Sequence, residues 1–215
     1  MDYKNERYSG QGIHLISAIF TVKNGEFKVL LINRKNDPYK GKWALVGGAL
    51  YNDETIEEGL KREVFEKTGL KDISFIHAGI YSRVDRAPVM RMLGLSYVAV
   101  IDAEKVEIVK ETVHTNNAEW CSIDNLPEMA FDHKEIVLDA VEFLKLHIED
   151  SDVYKNLFPK EFTLPELHKA FENMLGRELD RRNFRKKLIT DGKIIDTGKY
   201  QIVPNKKPSK LYKFS

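Results

Sequence analysis

A single cysteine, Cys121, occurs in the 215 residues. No disulfide can close within the chain, and a cysteine-rich zinc site is excluded. Cys121 follows Trp120 in an apolar stretch, so it is expected to be buried and inert. Long hydrophobic runs are also lacking. No segment approaches the roughly 20 apolar residues of a membrane-spanning helix. The opening Met1-Asp2-Tyr3-Lys4-Asn5-Glu6-Arg7-Tyr8 has none of the apolar character of a secretory signal. A cytoplasmic location is expected. There is no overall excess of one charge: 34 basic against 33 acidic residues leave +1. No internal repeat or low-complexity segment is present.

With 42% hydrophobic and 10% aromatic residues, the chain has the material for a core. Its length suits one large domain or two small ones. The near-neutral total hides a division. Lys155 to Ser215 holds 15 Lys and Arg against 7 Asp and Glu, a charge of +8, so the preceding part carries −7. A basic block on an acidic body points to a polyanionic partner for the tail, although charge alone is equally met by a solvated face.

Ile13–Val22 reads as a strand, Asn24-Gly25 as a turn, and Phe27–Asn33 as a second strand. Trp43–Val46 reads as a short strand ended by Gly47-Gly48. Asp53–Thr68 is predicted to be helical, from an acidic first turn, apolar Ile56, Leu60 and Val64, and Gly69 just past its end. Strands follow at Ile73–Tyr81, Met92–Ile101 and Ala118–Ser122. A second helix, Asp132–Ile148, carries Ile136, Ala140, Val141, Leu144 and Ile148 along one stripe. This is an α+β (or α/β) sandwich. The polar run Glu149-Asp150-Ser151-Asp152 marks a boundary, giving domains 1–150 and 151–215.

Gly48 is followed by five residues and Glu54, then by seven more and Arg62-Glu63-Val64-Phe65-Glu66-Lys67-Thr68-Gly69-Leu70. This resembles the Nudix box at every defining position but one: Lys67 stands where the family has its final paired glutamate. The resemblance implies the Nudix fold, a mixed sheet between helices, over about the first 150 residues. Positions 63, 66 and 67 share one helix face. Three carboxylates there would hold Mg or Mn, which favour oxygen ligands, and the metals would polarise a diphosphate. Glu63 is then a metal ligand or base and Glu66 a metal ligand, while Arg62 and Glu54 hold loop and helix in place. Lys67 puts a positive charge at that site and is positioned to pair with Glu63, so metal binding and hydrolysis are expected to be weak or absent. The bland alternative is a surface helix pair. Glu111 is a candidate to replace the missing carboxylate.

The pocket is expected to survive as a binding site. Arg34, Lys40, Lys42 and Trp43 precede the box, and Arg83, Asp85, Arg86 and Arg91 follow it. Arginines suit phosphate and an aromatic suits a base or sugar, although each arginine could equally be solvated and Trp43 belong to the core. Asp85-Arg86-Ala87-Pro88 resembles the Asp-Arg-Asp-Pro loop of Nudix-like regulators, with Ala87 departing from it.

In the tail, Thr163 is a plausible N-cap with Pro165 in the first turn. The helix it opens carries Leu167, Ala170, Phe171 and Leu175 and breaks at Gly176. Asp180 caps a second helix, Arg181–Thr190. Two short helices about a glycine-containing turn read as helix-turn-helix. Phe184 and Leu188 face inward, while Arg181, Arg182, Asn183, Arg185, Lys186 and Lys187 crowd the other faces, as in a recognition helix. Lys193–Ile195 and Tyr200–Val203 read as a hairpin. Lys206, Lys207 and Lys210 follow it, as basic wing residues suited to the backbone or minor groove. Protein contact or dimer support is the alternative use.

A Nudix domain followed by Phe162-Thr163-Leu164, Asp180-Arg181-Arg182-Asn183-Phe184-Arg185-Lys186-Lys187 and Leu211-Tyr212-Lys213-Phe214 is similar to the Nudix-related transcriptional regulators. Ala130-Phe131-Asp132-His133 matches their Ala-Phe-Asp-His segment. This resemblance implies a sensor domain for ADP-ribose, a related nucleotide, or a sugar such as arabinose, with homodimers placing two winged helices on near-palindromic double-stranded DNA. It implies no cofactor for regulation. Asp132 is read as a helix cap. The alternative is a Mg- or Mn-dependent Nudix hydrolase of the ADP-ribose pyrophosphatase type.

Overall fold

The computed structural model describes residues 9–23, 26–147, 155, 158, 160–205 and 207–215. The Asn24-Gly25 turn, the boundary run 149–152 and Lys206 lie outside the described residues.

Six strands form one sheet: β1 (Gly12–Lys23), β2 (Glu26–Arg34), β3 (Trp43–Ala49), β4 (Ile76–Tyr81), β5 (Met92–Val100) and β6 (Thr115–Ser122), in the order β4-β5-β1-β3-β2-β6. β1 runs parallel to β5, and the other pairings are antiparallel, so the sheet is mixed. Alternation places successive residues of β1 on opposite faces. Ile16, Ala18 and Phe20 join one buried cluster with Val29, Leu31, Leu45 and Val98. Ile19 joins the other with Leu30, Ile32, Ala44, Val46 and Ala99. Helix α1 (Ile56–Thr68) covers the second face through Val64, and α2 (His133–His147) the first through Ile136, Val137, Ala140, Val141 and Leu144. This is the helix-flanked mixed sheet expected of a Nudix fold.

The tail forms β7 (Phe162–Thr163), α3 (Leu164–Leu175), α4 (Arg181–Thr190), β8 (Ile194–Gln201) and β9 (Ser209–Phe214), its strands ordered β7-β9-β8. Thr163 and Glu166 make a reciprocal capping box at α3, and the Asp180 side chain accepts from Asn183 N–H at α4. Phe162, Leu167, Phe171 and Met174 belong to the same buried cluster as α2, and α3 packs beside α2, β1 and β2, so the two halves share one core.

Several local expectations change, β4 starting at Ile76 rather than Ile73 and β6 at Thr115 rather than Ala118. α1 starts at Ile56, because Thr55 forms a capping box with Glu58 and so outcompetes the acidic run before it. β3 continues through Gly47-Gly48 to Ala49, held by pairing with β1. The expected hairpin of 193–195 against 200–203 is one irregular strand, β8, paired with β9. Gly198 has φ of 73°, and its N–H is taken by the Asp196 carboxylate, so the apparent turn signal is a bulge.

Candidate functional site

The loop ahead of α1 is tied to the helix by Arg62. Its guanidinium bonds Glu54 Oε2 at 2.8 Å, Glu54 Oε1 at 2.5 Å and the Ala49 carbonyl at 2.9 Å, and lies 3.7 Å over the Tyr51 ring. The Arg62 bonds hold the Glu54 carboxyl down at about 2. A Cβ at Gly48 would lie 2.2 Å from Glu63 Oε1, so a larger residue there would have to displace that carboxylate.

Glu63 is buried, and both its oxygens face cations. Arg62 Nη1 donates to Oε1 at 2.6 Å and Lys67 Nζ to Oε2 at 2.5 Å. Lys67 also donates to the Gly47 carbonyl. The ammonium therefore takes the carboxylate and carbonyl oxygens that a divalent cation would use. Glu66 is more exposed, 3.7 Å from Arg62 Nη1. Glu111 pairs with Lys35 at 3.2 Å. Among the described residues no three acidic, histidine or cysteine side chains gather as a metal site. The donor set at the box does not fit a divalent cation.

Beside the box, at the N-terminal end of α2, aromatic and basic groups converge. The His14 and His133 ring centroids are 5.6 Å apart; Phe131 lies 5.2 Å from His133 and 4.7 Å from Tyr39, and Arg34 sits 5.0 Å over the Phe131 ring. Tyr39 and Phe131 have φ of 64° and 54°. Bulky residues in the left-handed region cost about 1–3 kcal/mol each and concentrate at functional sites. Arg86 Nε and Nη2 bond Asp132 Oδ2 and Oδ1, both at 2.9 Å, in a pair whose side chains are 1% and 2% exposed. Asp132, directly before α2 with its carbonyl accepting from Ile136 N–H, thus also anchors Arg86. His133 Nδ1 accepts from Leu45 N–H at 3.0 Å. Burial first, then the positive charges of Arg86, Arg34 and Lys67, push His133 down to about 3; His14 is also lowered, by burial and by the same groups with His133.

Of the other expected ligand residues, Trp43 is half-buried against the core of the α2 face. Arg83 is exposed and reaches Glu135 at 3.4 Å; Asp85 is exposed. Lys40 is exposed, and Lys42 pairs with Glu128. Cys121 is half-buried, not fully buried, and burial raises its thiol to about 11.

On α4, Phe184 packs edge-on to His168 and Phe171, and Leu188 is buried. Arg181, Arg182, Asn183, Arg185, Lys186 and Lys187 are exposed. Arg181, Arg182, Arg185 and Lys186 line one shallow surface with Ile189 and Thr190. His168 Nε2 bonds the Leu179 carbonyl at 2.8 Å, and Glu172 accepts from Leu179 N–H at 3.1 Å, which fixes the turn between the helices. On the wing Lys207 is exposed and Lys210 pairs with Asp196 at 2.7 Å.

Sequence reasoning missed His14, Tyr39, Phe131, His133 and His168. The one available signal was Ala130-Phe131-Asp132-His133, which had no partner in the sequence until the fold brought Arg86 to it.

A Nudix-type fold with a basic winged helix is what these features define. Residues 13–140 match the NUDIX domain, and the chain belongs to the Nudix family. Residues 155–214 match the NrtR DNA-binding winged helix domain. The chain is 29% identical to an ADPR responsive transcriptional repressor, NtrR, of Acinetobacter baylyi, over 99% of this chain and 86% of that one. It is 39% identical to an ADP-ribose pyrophosphatase of Methanocaldococcus jannaschii, over 61% of this chain and 76% of that one. The crystal structure of Shewanella oneidensis NrtR complexed with a 27mer DNA superposes with a TM-score of 0.81 at 26% identity, covering 94% of this chain and 93% of that one.

Proposed function

We propose that this protein is a transcriptional regulator that binds operator DNA through its winged helix and responds to ADP-ribose, or a related nucleotide, bound by its Nudix domain. The observation that carries this reading is the outward basic face of α4 in a chain that follows a DNA-complexed relative nearly end to end. In this reading Arg181, Arg182, Asn183 and Arg185 contact base edges, and Lys186, Lys187, Lys206, Lys207 and Lys210 contact phosphates. Arg34 and Arg86, with the aromatic pair beside them, serve the effector. The effector domain spans 1–150 and the DNA-binding domain 151–215. The protein works in the cytoplasm as a homodimer, one winged helix on each half-site. Effector binding shifts DNA affinity through unequal affinity for the two arrangements of the dimer. Regulation requires no metal in this reading.

Gel-shift titration against the DNA upstream of the protein's own coding sequence tests this. Retardation at low salt, altered by ADP-ribose, is expected; no retardation under any condition sinks the reading.

The 39% identity to a pyrophosphatase keeps hydrolysis as a second reading. It predicts phosphate release from ADP-ribose, in a phosphatase-coupled assay with Mg or Mn, that falls on Glu63→Gln. A rate indifferent to that substitution removes it.

A further inference from the structure

Two buried donors in the cluster at the start of α2 have no acceptor among the described residues. Asp132 engages Nε and Nη2 of Arg86, and Nη1 is buried without a partner. Because His133 Nδ1 accepts from a backbone N–H, the proton of the neutral ring sits on Nε2, also buried without a partner. The residues themselves are 3% and 1% exposed.

The two groups occupy one place. Asp132, which holds Arg86, immediately precedes His133. The Arg86 guanidinium lies over Gly94, where a Cβ would come within 2.9 Å of Cζ. Gly94 is the register partner of His14, whose ring is 5.6 Å from that of His133. Toward the surface the cluster continues to Phe131 and Tyr39, whose rings are 4.7 Å apart, Tyr39 being 42% exposed.

We infer that Arg86 Nη1 and His133 Nε2 form a buried oxyanion subsite that receives a phosphoryl oxygen of the effector's diphosphate. The inference rests on the proposed nucleotide response and adds to it the atoms that hold the phosphate. Buried donors left unpaired are costly, so the site calls for an acceptor. A purely donating pair, beside Arg34 and Lys67 and with Asp132 already committed, favours an anionic one. The flanking rings suit the adjoining sugar or base. Lys67, bonded to Glu63 and Gly47, supplies positive charge where a catalytic relative would place metal, so binding here needs none.

The test is calorimetric titration of the full-length protein with ADP-ribose and with inorganic pyrophosphate, alongside the His133 Nε2 resonance in nitrogen-15 spectra. His133→Asn keeps an acceptor for Leu45 N–H and removes the Nε2 donor. ADP-ribose affinity is expected to fall about 10- to 100-fold in the variant, the range for a lost bond to a charged group. In the wild type, both compounds are expected to shift the Nε2 resonance. If ADP-ribose binds the wild type, yet the variant binds within twofold and the resonance stays still, the subsite is wrong and the nucleotide reading stands. If pyrophosphate alone binds and moves the resonance, the subsite stands and the ADP-ribose reading falls. If neither compound moves it, the two donors serve solvent and the inference is overturned. Should His133→Asn not fold, the wild-type resonance decides alone.

Discussion

Arg86 and Asp132, 46 residues apart, form a buried two-bond ion pair. It joins the loop between β4 and β5 to the entrance of α2. Along the same helix Arg83 reaches Glu135 at 3.4 Å and the hydroxyl of Tyr81, the last residue of β4, donates to Asp139 at 2.9 Å, so the end of β4 and the loop after it are tied to α2 at three successive turns. Because Asp132 adjoins His133, the pair also sets where that imidazole stands.

Removing one partner of this pair leaves the other as an uncompensated buried charge. Arg86→Ala and Asp132→Ala are each expected to cost about 3–5 kcal/mol in urea unfolding. The double replacement Arg86→Met, Asp132→Leu should cost much less than the two single losses added together. Additive losses would show that the two side chains act separately.

Lys67→Glu removes the ammonium that bridges Glu63 and the Gly47 carbonyl and puts a carboxylate in its place. Magnesium affinity, measured by calorimetry, is expected to appear in this variant and to be absent in Lys67→Met. A variant that gains no magnesium binding would mean that Lys67 is not what disables the box.

The box was legible because its chemistry is local. Residues 63, 66 and 67 share a helix face whatever the rest of the chain does, and the Glu63–Lys67 pair follows from their spacing. The winged helix was legible for the same reason, through Thr163, Gly176 and Asp180 at the helix ends. The cluster at the start of α2 was not. His14, Tyr39, Arg86 and His133 come from β1, two loops and α2, and only the sheet order brings them together. Arg86 was singled out from its loop motif, but its commitment to Asp132 is a long-range pairing that no periodicity records. The misread hairpin shows the reverse limit, since Gly198 serves a turn or a bulge equally well in sequence.

His133 is held near 3 by burial, and His14 is likewise lowered. A histidine with a depressed folded pKa binds fewer protons folded than unfolded. Its contribution to stability is therefore intact above the unfolded value of about 6.5 and is lost as pH falls below it. Between pH 6.5 and about 3 His133 should take away up to about 1.4 kcal/mol per pH unit, and His14 adds to the loss in the same direction. Urea midpoints of the wild type should fall across this window, and those of His133→Asn should fall less steeply. Parallel curves would assign the acid sensitivity to other groups.

The outward residues of α4 and the wing are expected to fail differently. Arg182→Ala or Arg185→Ala, on the exposed face of α4, should weaken operator binding by about 1–3 kcal/mol if the arginine reads a base, and should relax preference at one base position. Lys207→Ala should weaken operator and unrelated DNA alike and reduce the salt slope of log affinity by about 1, as for a phosphate contact. Fluorescence anisotropy on operator and scrambled duplexes at several salt concentrations separates the two effects. If both α4 variants bind operator as the wild type does, this helix does not lie in the groove. If the α4 variants lose operator and scrambled duplex equally, the helix is docked on phosphates and sequence is read elsewhere, with the wing as the next element to vary.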